Sequence, residues 1–106
     1  MSNKINNKDE LDAKLAEIGD GVMVMLEFHA NWCGNCKKIA PKLEQLLKEF
    51  KDIHFFTIDV DVSEDLVAAY NIKSMPTFVI IKNKNIVDTY VGSNSDEVKN
   101  LIIKNK

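Results

Sequence analysis

The stretch Val22-Met23-Val24-Met25-Leu26-Glu27-Phe28 shows none of the regular polar alternation of a half-exposed strand, and this limits the possible folds more than any other feature. A strand apolar on both sides must be buried on both faces, which requires a sheet covered by helices above and below. Phe78-Val79-Ile80-Ile81 has the same character. Both runs fall far short of the roughly 20 apolar residues that cross a bilayer, so no transmembrane helix and no membrane partner are expected. With 106 residues, 45% of them apolar and 28% charged, the chain has the proportions of one soluble domain, 1–106, with room for a packed core.

The remaining pattern supplies the covering helices. Asn7 followed by Glu10 is a capping-box-like start, and Leu11, Leu15 and Ile18 recur at helical spacing until Gly19-Asp20-Gly21 ends the pattern. From Cys33 onward, Ile39, Leu43, Leu46, Leu47 and Phe50 share one stripe, which predicts a long helix kinked at Pro41, where a backbone donor is missing. Ile53 to Val60 predicts a second strand. Ser63 then offers an N-cap, and Glu64 and Asp65 an acidic first turn, for a short helix carrying Leu66, Val67 and Tyr70. Thr77 to Ile81 and Ile86 to Val91 flank the polar Lys82-Asn83-Lys84-Asn85 as the arms of an antiparallel hairpin. A last helix follows the cap-like pair Asn94 and Glu97, with Val98, Leu101 and Ile102 turned inward. The order α, β, α, β, α, β, β, α predicts an α/β fold with a mixed sheet between helices.

Composition removes several function classes. The formal net charge is −2 and all fourteen basic residues are lysines; without the bidentate fork of arginine, no nucleic-acid partner is expected. Gly19-Asp20-Gly21 precedes a strand and not a helix, so it is no phosphate cradle. The segment Met1 to Glu10 lacks the apolar stretch of a secretory signal, and a cytoplasmic protein is expected. Only two cysteines are present, Cys33 and Cys36, too few for a framework of structural disulfides.

Chemistry concentrates at that pair. Cys33 falls at the start of the long helix, where free amides and the helix dipole favour an anion such as a thiolate. Cys36 lies one turn later, within reach of the first sulfur but shielded by the helix, which makes Cys33 the more exposed nucleophile and Cys36 the resolving thiol. Gly34 leaves room for a partner chain.

Phe28-His29-Ala30-Asn31-Trp32-Cys33-Gly34-Asn35-Cys36-Lys37, then Pro41, then Met75-Pro76-Thr77 and Val91-Gly92, resembles the thioredoxin family over nearly the whole chain. The resemblance implies the thioredoxin fold, a central mixed β-sheet flanked by helices on both faces. It implies a protein-disulfide reductase in which Cys33 attacks a substrate disulfide, Cys36 resolves the mixed disulfide and a thioredoxin reductase restores the dithiol. No cofactor or metal is implied; the partners are disulfide-containing proteins, and the chain is expected to be a monomer. By the same resemblance Pro76 is a cis-proline facing the thiols, which leaves the backbone of Met75 free to pair with substrate. Trp32, Val60, Ser74, Met75, Val91, Gly92 and Ser93 match positions lining the family's substrate groove, with Gly34 and Asn35 as further contacts between the thiols.

The departures from the family pattern are specific. Asn35 stands where proline is usual; an added amide donor near Cys33 is expected to favour the thiolate and make the couple more oxidising than in an Asn35→Pro variant. Glu27 stands where a buried aspartate commonly passes a proton to the resolving thiol, although it could instead point to a solvated edge, and Thr57 stands where some members carry a lysine. Lys84 replaces a frequent hairpin glycine. His29 replaces a common aromatic and is expected at the rim, because two thiols already complete the exchange. Two other classes stay open: a binding module with idle thiols, and a zinc scaffold, for which only His29 and His54 could add ligands.

Overall fold

An apolar strand needs neighbours on both edges as well as helices on both faces, and the computed structural model, which describes residues 3–106, gives the first apolar run that place. Met1 and Ser2, with which the expected domain range and the polar segment up to Glu10 begin, lie outside the described residues. The elements are α1 (Lys8–Ile18), β1 (Val24–His29), α2 (Gly34–Glu49), β2 (His54–Asp59), α3 (Glu64–Ala69), β3 (Thr77–Lys82), β4 (Asn85–Val91) and α4 (Ser95–Lys104), in the expected order. The sheet runs β2-β1-β3-β4, with β1 parallel to β2 and antiparallel to β3, and β3 antiparallel to β4. Parallel neighbours need a long crossover, which α2 supplies between β1 and β2.

Side chains alternate across the two central strands. Val24, Leu26 and Phe28 of β1, with Val79 and Ile81 of β3, pack against Leu11 and Leu15 of α1 and Leu66 of α3. Met25 of β1, with Phe78 and Ile80 of β3, packs against Ile39, Leu43 and Leu46 of α2 and Val98, Leu101 and Ile102 of α4. The fold is therefore a mixed sheet with helices on both faces, as expected. No helix among the described residues is long and apolar enough to cross a membrane.

Local signals set most helix starts. Asn7 accepts a hydrogen bond from the Glu10 amide at 2.9 Å, and Asn94 accepts from the amides of Asp96 and Glu97. Gly19 ends α1 at φ +78°, a left-handed conformation open to glycine at little cost. Ser63 departs from its expected capping role: it occupies the N-cap position, but its hydroxyl donates to the Asn6 carbonyl at 2.8 Å and leaves the α3 amides alone. Pro41 does not end α2, which continues to Glu49. The hairpin is tighter than expected, with only Asn83 and Lys84 between the strands at φ +52° and +66°; Lys84 thus holds a left-handed backbone where glycine is easier.

One pairing left no sequence pattern. The segment before α1 joins the outer edge of β2, with the Ile5 amide donating to the Thr57 carbonyl at 2.9 Å and the Thr57 amide to Asn3 at 3.0 Å. Ile5, its single buried side chain among the described residues, is too short a signal for either period.

Candidate active site at the Cys33 and Cys36 thiols

The chain leaves β1 at His29, turns through Ala30 to Trp32 and enters α2 at Gly34, which makes Cys33 the N-cap. Sγ of Cys33 accepts a hydrogen bond from the Cys36 amide at 3.2 Å. It thereby occupies one of the free donors of the helix N-terminus. This corrects one expectation: the amide that reaches the sulfur belongs to Cys36, and so it would persist in an Asn35→Pro chain.

Both cysteines are free thiols, and their exposures are nearly equal, 8% for Cys33 and 7% for Cys36. The expected greater exposure of Cys33 is absent, because Ala30, Val60 and Met75 pack around both sulfur-bearing residues. Their surroundings separate them instead. The Cys33 thiol lies 3.7 Å from the Met75 carbonyl oxygen, to which it donates, and the Met75-Pro76 bond is cis. Cys36 faces inward to a cavity of about 220 Å³ that Glu27 also lines. Burial first, then its hydrogen bond with Cys33 and the charges of Cys33 and Glu27, push the Cys36 thiol up to about 12, against a smaller opposing effect of the Ala30 backbone.

Glu27 is buried, at 7% exposure, so the solvated-edge alternative does not hold. In the sheet it sits between Thr57 of β2 and Phe78 of β3. Neither neighbour can neutralise a carboxylate, and burial alone raises its pKa from 4.5 to about 7.

Around the thiols, Trp32 is 66% exposed, and its indole N–H donates to Asp61 at 2.9 Å. Asp61 escaped the sequence reading, since nothing local marks a partner 29 residues away. Gly34 and Asn35 are exposed in the first turn of α2, and Val60 and Met75 touch the cysteine cluster. The Gly92 amide donates to the Pro76 carbonyl at 3.1 Å, which brings the end of β4 beside the cis bond. Gly92 has φ +149°, and a Cβ there would lie 2.5 Å from the Tyr90 hydroxyl. Ser74 and Val91 instead line a second cavity, of about 250 Å³, with Ile72 and Thr89. Ser93 follows Gly92 and is half-buried, with no contact bringing it to the sulfurs.

The zinc alternative meets a geometric obstacle. In the β1/β2 register His29 lies opposite Asp59, while His54 lies opposite Val24 at the other end. At about 3.3 Å per residue the two histidines are roughly 16 Å apart along the strands. No group of three or more metal-ligating side chains occurs among the described residues.

A sequence model of the thioredoxin family matches residues 2–104. The chain is 44% identical over 101 residues to Thioredoxin-T of Drosophila melanogaster, a match covering 94% of this chain and 64% of that protein. It is 38% identical over 107 residues to a thioredoxin of Geodia cydonium, with full coverage of both. The X-ray structure of Fasciola hepatica thioredoxin superposes with a TM-score of 0.93 at 36% identity, covering 100% of each chain.

Proposed function

This chain belongs to the thioredoxin family and is a thiol–disulfide oxidoreductase, and from that premise we propose that it reduces disulfides in other proteins with Cys33 attacking and Cys36 resolving. The observation that carries the assignment of roles is the asymmetry of the pair: Cys33 caps the helix beside the Met75 carbonyl, whereas Cys36 lies over Glu27.

In the first step the Cys33 thiolate attacks one sulfur of a substrate disulfide and expels the other as a thiolate, leaving a mixed disulfide. In the second, the Cys36 thiol gives its proton to the Glu27 carboxylate and its sulfur attacks Cys33. The Cys33–Cys36 bond forms, the bond to substrate breaks and the substrate leaves as a thiolate. Both electrons come from the cysteine pair, which a thioredoxin reductase then restores. Glu27 is suited to the transfer because a carboxyl near 7 is half ionised at neutral pH, whereas an exposed glutamate is too weak a base.

The substrate chain lies across Trp32, Gly34, Asn35, Val60, Met75, Pro76 and Gly92, extending toward Ser74, Val91 and Ser93. The exposed indole of Trp32, braced by Asp61, gives it a broad apolar contact. The protein works as one domain, as a monomer and in the cytoplasm, and needs no cofactor because two thiols complete the exchange.

Reduction of insulin disulfides tests the roles. Cys36→Ser should accumulate a mixed disulfide with substrate and Cys33→Ser should accumulate none. Faster alkylation of Cys36 than of Cys33 in the reduced protein at neutral pH would overturn the assignment.

A further inference from the structure

A carboxyl that takes a proton from Cys36 must lose it before the next cycle, and Glu27, at 7% exposure, meets solvent through the cavity that it lines. The cavity that it lines with Cys36 is also lined by His29, Asn31, Lys37 and Ala40. Exposure rises among these residues: Glu27 and Cys36 are buried, His29 is half-buried, and Asn31, Lys37 and Ala40 are exposed. Glu27 and His29 are two residues apart on β1, so their side chains leave the sheet on the same face. They are the only titratable side chains on that strand. At about 220 Å³ the cavity has room for several waters at about 30 Å³ each.

We infer that His29 is a proton relay acting through Glu27, taking the proton from the buried carboxyl across this cavity and releasing it to solvent. The inference rests on the dithiol mechanism proposed above. Imidazole suits the task because one ring nitrogen accepts a proton while the other gives one up. The groups facing His29 are Asp59, opposite it on β2, Lys4 on the amino-terminal segment, Glu27 on its own strand, and Cys36 and Lys37 of α2. Burial lowers the His29 pKa and Lys4 adds to that, while Asp59 opposes both. The ring is thus mainly neutral at neutral pH and free to accept. The transfer balances without a co-reactant: the O–H bond of Glu27 breaks, an N–H bond forms on the imidazole, and the imidazolium loses one N–H proton to water.

Multiple-turnover reduction of insulin by the full chain in weak buffer, with dithiothreitol as reductant, tests the relay. His29→Gln keeps a polar side chain but cannot titrate. It should slow turnover roughly tenfold in mildly acidic buffer, where Glu27 must be cleared each cycle, and match the wild type in alkaline buffer; direct general acid–base groups contribute about 10²–10⁴-fold. His29→Ala should lose a similar factor and regain it, saturably, when imidazole is added. Added imidazole should leave the Gln variant slow, because the cavity mouth is still filled. An unchanged pH profile in His29→Gln, a loss equal at all pH values, or a His29→Ala rate indifferent to imidazole would overturn the relay. Should the wild type itself reduce no insulin, or Cys33→Ser match it, the dithiol mechanism fails instead.

Discussion

Leu26 and Phe28 point to the face of β1 covered by α1 and α3, where the clustered core is entirely apolar; Met25, Glu27 and His29 point to the face of α2 and α4, where the same strand turns from apolar to titratable within five residues. Up to Glu27 and Phe28 the two faces of β1 are almost equally buried, with Leu26 and Phe28 at 0% exposure and Glu27 at 7%, and only His29 at the strand end is half-buried. What differs is the nature of the polar groups each face contains. On the first face the buried hydroxyls of Ser63 and Thr77 are neutral and donate to carbonyls of Asn6 and Ser74. On the second a carboxyl is held beside a thiol and a cavity that leads outward. A buried ionised group without a partner is expensive, and a carboxyl avoids the cost by binding a proton. That tolerance is the chemical use of the second face.

The comparison can be broken first on its apolar side. Leu26→Ala should cost about 2–5 kcal/mol by chemical denaturation and leave the pH dependence of turnover unchanged; an altered pH profile would show the faces to be coupled. On the other side, Glu27→Gln should stabilise the fold in alkaline buffer by about 3 kcal/mol and change little in acid. The sign follows from the raised pKa. The folded state binds the extra proton, so the favourable contribution is complete below about pH 4.5 and is lost as pH rises to about 7. Denaturation midpoints of the two chains should therefore diverge across that window, and parallel curves would mean that Glu27 is not effectively buried.

Lys84→Gly removes a left-handed lysine from the hairpin, outside both faces, and should stabilise by about 1 kcal/mol at every pH. A pH-dependent gain there would weaken the assignment of the Glu27 window. The smallest effect is expected for Asn35→Pro. Because the donor to Cys33 is the Cys36 amide, the redox potential should move by less than the about 30 mV that corresponds to about 1.4 kcal/mol. Equilibration against a glutathione buffer measures it, and a larger shift would restore a role for the Asn35 amide.

Element order, the burial of β1 on both faces, the caps at Asn7 and Asn94 and the position of Cys33 at a helix start were legible in the sequence, because period and capping act within a few residues. The hairpin was legible but its turn was not: Asn83 and Lys84 suffice because both adopt positive φ, which a polar four-residue run does not disclose. Ser63 had the right residue type for a cap, yet its hydroxyl went to Asn6, 57 residues earlier in the chain.

By itself, then, the sequence determined which segments are helix or strand, which faces are apolar, and that two thiols share one helical turn. Tertiary structure alone decided that the Met75 carbonyl, 42 residues away, meets Cys33, that Asp61 holds Trp32, and that Glu27, Cys36 and His29 open onto one cavity. The division follows from the range of the forces: propensity and capping are satisfied by neighbours in the chain, whereas desolvation and the proton affinities that it shifts depend on what the folded chain brings around a group from far along its length.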